Sequence, residues 1–226
     1  MSHLLNINMK DLSLTHIIQE PKTKTAGKTP LLLLLHGYGS NEQDLFSFAP
    51  ELPENYFIIS VRAPMPMQPY GNAWYTIYWD GMEAKRSDDK QAKESRDLVV
   101  KFIDEAVLAY DLDASNVTLL GFSQGTIISY AVALTYPEKV KNLIGLSGYI
   151  NEEITDLKSD HEIYKNLAIF CSHGSQDQVI PVEAARRVPA FLEKLGIATT
   201  LKEYPVGHGV APQNLNDLEQ WLRNHP

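Results

Sequence analysis

The chain of 226 residues contains a single cysteine, Cys171. One thiol excludes an internal disulfide framework and any multi-thiolate zinc site. There is no excess of basic residues: 20 Lys and Arg stand against 28 Asp and Glu, a net charge of −8. That balance argues against nucleic acid as the main partner. Long apolar runs are missing too. The longest aliphatic stretch, Leu31 to Leu35, is far shorter than the roughly 20 residues of a membrane-spanning helix. The N-terminus, MSHLLNINMK, lacks the basic start and apolar stretch of a signal peptide. These absences, with the lone thiol, point to a cytoplasmic setting. Internal repeats and low-complexity tracts are absent as well.

What is present is the composition of a globular protein, 44% hydrophobic and 21% charged. The length suits one domain over residues 1–226 with a core of its own. Strand-like and helix-like runs alternate, which implies an α/β fold with a parallel sheet between helices. Asp11 to Ile18 alternates as an edge strand should, and Glu20 to Thr29 reads as a turn. Leu31 to Leu35 is apolar on both faces and bounded by Pro30 and His36-Gly37, so it reads as a buried central strand. Phe57 to Val61, Val117 to Leu120, Leu143 to Leu146, Leu167 to Cys171 and Thr199 to Tyr204 complete the set.

The spacing of Val99, Phe102, Ile103, Ala106, Val107 and Tyr110 predicts a helix over Asp88 to Tyr110 with one buried face. Gln124 to Tyr136, Val182 to Leu195 and Asn214 to Arg223 read as helices too. Two connections, Pro64 to Ser87 and Gly148 to Asn166, are too long for simple turns, and long loops of this kind are often functional.

The strongest chemical signal is Gly121-Phe122-Ser123-Gln124-Gly125, a G-x-S-x-G sequence between a predicted strand and a predicted helix. Such a strained turn lifts a serine hydroxyl above the sheet, and the glycines give it room. Ser123 then lies at a helix N-terminus, where developing negative charge is favoured. A serine hydroxyl needs a base. Of seven histidines, His3, His161 and His225 lie in polar or terminal segments. His16 sits in the edge strand, and His36 and His173 read as turn residues. His208 lies between Gly207 and Gly209, after the last strand and before the last helix. The chain order serine, acid, histidine selects it. Asp177 is the only carboxylate in the loop after Cys171, so it is the acid expected to orient His208. Glu152, Glu153, Asp156, Asp160 and Glu162 in the preceding loop read as a solvated acidic face. The backbone N–H groups of Gln124 and Tyr38 are the expected oxyanion donors, Tyr38 because His36-Gly37-Tyr38-Gly39 follows an early strand.

With these residues in view, the chain resembles the phospholipase/carboxylesterase group of α/β-hydrolases, which includes the acyl-protein thioesterases. The matching segments are LLLLLHGYGSNEQDL, the RAP of Arg62 to Pro64, LLGFSQG, LSGYI, SHGSQDQVIP and GHG, spread from Leu31 to His208. The resemblance implies an α/β-hydrolase fold with a minimal lid. It also implies a serine esterase or thioesterase, lysophospholipase-like in substrate, with Ser123, Asp177 and His208 as its triad. Tyr38 and Gln124 match its oxyanion positions. Thr126 stands where thioesterase members usually have a second glycine, and Tyr38 where leucine is frequent. Long-chain protein depalmitoylation therefore does not follow from the resemblance.

The expected reaction needs no metal or organic cofactor, only a small-molecule ester or thioester. Pro64 to Met82 holds five aromatics between Tyr70 and Trp79, with Met65, Met67 and Met82 around them. Clusters of this kind mark a site or an interface. Met65, Trp74 and Tyr75 are therefore expected to line the substrate site, with a satellite core or a homodimer interface as other readings. Three other functions bear comparison. A serine peptidase or amidase with this triad would normally carry a propeller or large cap, for which the chain has no room. A catalytically silent binding module would be expected to have lost a triad member. A dienelactone-type hydrolase would carry cysteine in place of Ser123.

Overall fold

The computed structural model describes residues 10–23, 26–80 and 84–225. His3 and Met82 lie outside them. Seven strands form one sheet: β1 (His16–Gln19), β2 (Thr29–Leu35), β3 (Phe57–Val61), β8 (Leu112–Phe122), β9 (Asn142–Leu146), β10 (Ala168–Gly174) and β11 (Ala198–Tyr204). Between β3 and β8 lie the short strands β4 (Met65–Pro66), β5 (Asn72–Ala73), β6 (Ile77–Asp80) and β7 (Ala84–Ser87). The sheet order is β1-β3-β2-β8-β9-β10-β11. Only β1, at one edge, runs antiparallel to its neighbour.

The period-two geometry of β2 explains the two-layered core. Leu31, Leu33 and Leu35 pack into one cluster, and Leu32 and Leu34 into the other. The first is covered by α2 (Asp89–Ala109) through Val99, Phe102, Ile103 and Ala106, and by α3 (Gln124–Thr135). The second is covered by Leu45 of α1 (Gln43–Phe46) and by Leu218, Trp221 and Leu222 of α6 (Pro212–Asn224). Every residue of α3 is buried, as its apolar sequence requires. Asp88 caps α2 by accepting the Gln91 N–H at 3.0 Å.

Two expectations change. The helix read over Val182 to Leu195 is two, α4 (Val182–Arg186) and α5 (Val188–Glu193). Pro189 in the first turn of α5 removes the N–H that a continuous helix would use. The long connection Pro64 to Ser87 is two hairpins, β4 with β5 and β6 with β7. Asp156 lies on a solvated face as expected, its side chain 62% exposed, and it pairs there at 2.7 Å with buried Arg96, which also bonds the Ile154 carbonyl at 2.8 Å.

All the residues singled out for chemistry follow the carboxyl ends of parallel strands: His36 to Gly39 after β2, Ser123 after β8, Asp177 after β10 and His208 after β11. In an open α/β sheet that end is where sites are built.

Candidate active site

Ser123 forms the junction of β8 and α3, with φ 53° and ψ −115°. A non-glycine residue at positive φ is strained, and such strain collects at functional turns. Its neighbours show why the turn needs glycine. A Cβ on Gly125 would lie 2.0 Å from the Leu35 carbonyl oxygen, and one on Gly121 2.6 Å from the Gly125 carbonyl. The Ser123 N–H donates to the Leu146 carbonyl at 2.8 Å, which ties the turn to β9.

Around this serine the structure brings His208 and Asp177 together. His208 Nε2 is 2.9 Å from Ser123 Oγ, and its Nδ1 is 2.7 Å from Asp177 Oδ2. An ionised carboxylate only accepts, so Nδ1 carries the proton and Nε2 is free to accept from the serine hydroxyl. The other oxygen of Asp177 accepts the Val179 and Ile180 N–H groups at 2.8 and 2.9 Å. Burial works against its charge. The His208 hydrogen bond and the Ile180 and Val179 amides outweigh that effect and hold the carboxyl below its ordinary value.

A second histidine meets the same acid. His173, fully buried at the end of β10, places Nε2 2.8 Å from the Ile180 carbonyl and 3.2 Å from Asp177 Oδ2. Both partners are acceptors, so Nε2 bears the proton. Its Nδ1 is buried without a hydrogen-bond partner among the described residues. The sequence placed His173 in a turn; its contact with Asp177 depends on the return of the chain at Ile180.

The Tyr38 N–H makes no hydrogen bond among the described residues. Gln124 opens α3, so its N–H has no intrahelical acceptor. Both residues line the cavity that Ser123 faces. The loop carrying Tyr38 is held from several sides. His36 Nδ1–H bonds the Gly37 carbonyl at 2.7 Å, while its Nε2 accepts the Ala63 N–H at 3.0 Å. Burial lowers the pKa of His36, in keeping with a neutral ring. The Gly39 N–H donates to the Asn72 carbonyl at 2.9 Å. Beside the loop, Arg62 grips Glu42 with two bonds of 2.5 and 2.6 Å.

The three residues read as a substrate wall fall into different places. Tyr75 lines the cavity. Trp74 does not, which corrects the expectation: it is 0% exposed, and its Nε1–H donates to the His36 carbonyl at 2.9 Å. The indole therefore fastens the Tyr38 loop from below. Met65 is half-buried against the core and is not part of the cavity wall either. The aromatic-rich segment is thus partly satellite core, with Tyr70 turned out to solvent.

Sequence reasoning missed the side chain of Gln124. Its Oε1 accepts the Trp74 N–H and its Nε2 donates to the Tyr75 carbonyl, both at 2.8 Å. One residue thereby carries a free main-chain donor at the elbow and clamps the first hairpin's exit strand to it. The cavity measures about 790 Å³. Its walls are mainly apolar, from Ile77, Ile127, Val179, Ile180 and Pro181, with one charged side chain, Arg187. Cys171 is buried, and that burial pushes its thiol up to about 12, which removes it as a nucleophile near neutral pH. Among the described residues, no cluster of three or more His, Cys, Asp or Glu side chains could hold a metal ion. No described helix is long and apolar enough to cross a membrane.

A mostly parallel sheet with helices on both faces and a strained serine turn defines an α/β-hydrolase. The chain belongs to the phospholipase/carboxylesterase family, which it matches over residues 15–226. It is 28% identical over 224 residues to a probable carboxylesterase of Oryza sativa subsp. japonica, covering 92% of this chain and 83% of that one. It is also 28% identical over 207 residues to acyl-protein thioesterase 1 of Kluyveromyces lactis, covering 85% of this chain and 90% of that one. The fold matches the crystal structure of the Bacillus cereus carboxylesterase with a TM-score of 0.81 at 21% identity, over 94% and 95% of the two chains.

Proposed function

We propose that the protein is a serine hydrolase that cleaves carboxylic esters or thioesters through an acyl-enzyme on Ser123. The observation that carries this reading is His208, bonded through opposite ring nitrogens to Ser123 Oγ and to a buried carboxylate. Ser123 Oγ attacks the substrate carbonyl carbon while His208 Nε2 takes the hydroxyl proton. The carbonyl oxygen becomes an oxyanion held by the Tyr38 and Gln124 amides. Asp177 keeps His208 in the required tautomer and stabilises the imidazolium. Collapse of the tetrahedral adduct expels the alcohol or thiol, which leaves with the proton from His208. Water, deprotonated by His208, then attacks the acyl-enzyme, and the acid departs as Ser123 recovers its proton. Losing one oxyanion donor is expected to cost about 10²–10³ in turnover.

The apolar cavity beside Ser123, with Tyr75 on its wall, supports an acyl or alkyl group as the substrate body. A fluorophosphonate reagent tests the reading: it should label the wild type and leave Ser123→Ala unlabelled. Labelling that survives the substitution would remove Ser123 from its role. Hydrolysis of p-nitrophenyl esters of rising chain length, with a thioester alongside, then measures the acyl preference.

A further inference from the structure

The cavity beside Ser123 is apolar over most of its wall, and the one charged residue lining it is Arg187. This arginine occupies the break between α4 and α5, the residue at which the expected single helix is interrupted. Arg62, Arg96, Arg186 and Arg223 each pair with at least one carboxylate among the described residues, whereas Arg86, outside this cavity, does not. Arg187 pairs with none among the described residues, on a chain whose net charge is −8. A second cavity of about 380 Å³ shares Tyr149, Ala184 and Arg187 with the first. Arg187 therefore stands where the two meet. Lys194 and Glu152, of opposite charge, also line the second cavity. The uncompensated charge at the junction is that of Arg187.

An unpaired cation beside an apolar wall suits a particular kind of molecule. The apolar stretch takes a hydrocarbon chain, and the planar fork takes an oxyanion at its end. One guanidinium without a second cation on the same wall matches a single negative charge, which a carboxylate carries. We propose that the preferred substrates are esters or thioesters whose hydrocarbon chain bears a carboxylate remote from the scissile bond, received by Arg187. This specificity rests on the ester-hydrolase reading above. Arg187 is solvent-exposed, so its effect is moderate and weakened by salt.

Matched substrates test the proposal. For the acyl half, p-nitrophenyl hemiadipate and hemisuberate are compared with p-nitrophenyl hexanoate and octanoate. For the alcohol half, the butyrate ester of 6-hydroxyhexanoic acid is compared with hexyl butyrate. The readout is the ratio of kcat/KM for the carboxylate ester to that for its neutral partner, at low and high salt. In at least one half, the ratio is expected to exceed one at low salt. It should fall about three- to ten-fold in Arg187→Gln, recover in part in Arg187→Lys, and shrink in high salt. Ratios below one in both halves, or a ratio that Arg187→Gln leaves unchanged, would overturn the proposal while neutral-ester turnover and Ser123 labelling stand. Loss of labelling and of neutral-ester turnover in the wild type would instead overturn the ester-hydrolase reading.

Discussion

Gln124→Met isolates the clamp between the serine turn and the hairpin segment. Methionine is close to glutamine in length and unbranched, so it fills much the same space. It leaves the main-chain N–H at position 124 in place. What it removes is the pair of 2.8 Å hydrogen bonds to the Trp74 N–H and the Tyr75 carbonyl. Neither group has another described partner, Gln124 is 2% exposed, and both Trp74 and Tyr75 are buried, so water does not readily replace the amide. An orphaned buried polar group costs about 1–3 kcal/mol. Two of them, partly offset by the added apolar burial, should lower stability by roughly 2–4 kcal/mol. In a chain of this size that corresponds to a fall of about 4–16 °C in Tm. Urea and thermal melts of wild type and variant measure it directly. Turnover of a p-nitrophenyl ester should fall less steeply than on loss of an oxyanion donor, because the donor at 124 is retained. A variant within about 0.5 kcal/mol of wild type would refute the clamp: the two backbone groups would have to be satisfied by something else.

Four further outcomes are expected. Gly125→Ala brings a Cβ to 2.0 Å from the Leu35 carbonyl, so it should fail to accumulate as folded protein or should lose fluorophosphonate labelling; labelling at the wild-type rate would count against the close approach. Trp74→Phe removes the N–H from the His36 carbonyl and should lower both stability and kcat while leaving the acyl chain-length profile unchanged, and a shifted profile would put Trp74 back on the cavity wall. Because the Asp177 pKa is depressed in the fold, its ionisation contributes stability that is complete above the unfolded value of about 3.9 and is lost as pH falls through the folded one; the stability gap between wild type and Asp177→Asn should therefore close on acidification from pH 6 towards pH 3, and a widening gap in urea melts would contradict the assignment. His173→Leu should lower kcat with little change in KM, and His173→Gln, whose amide can still donate towards Asp177, should recover part of the loss; unchanged kcat in the leucine variant would make His173 a packing residue only.

The serine turn and the central strands were legible because their signals are local. Gly121 and Gly125 flank a serine between an apolar strand and an apolar helix, and the strain that demands them spans five residues. Phe57–Val61 was read with its observed bounds, since a short run buried on both faces has little else to be. The hairpins in Pro64 to Ser87 were not legible. Their strands are two to four residues long, too short for alternation to register. Trp74 illustrates a different limit. An aromatic-dense loop has the same sequence whether its rings line a cavity or cap a sheet, and what decides is a carbonyl at His36, 38 residues away. The Gln124 clamp reaches 50 residues back. Arg187 was hidden because a continuous amphipathic helix was read through Pro189, and only the break gives that residue its place at the cavity junction.

The sealed thiol has a practical corollary. Cys171 is held protonated inside the sheet, so maleimides and iodoacetamides will find little to react with in the native protein. A cysteine introduced at Tyr70, which is 81% exposed, would then be the one readily alkylated position. A fluorophore attached there would sit on the hairpin turn nearest the Tyr38 loop, since Gly71 packs against the Gly39 carbonyl. The molecule is in effect a ready-made chassis for a single-dye reporter, in which acylation of the serine could be followed by emission from a different loop.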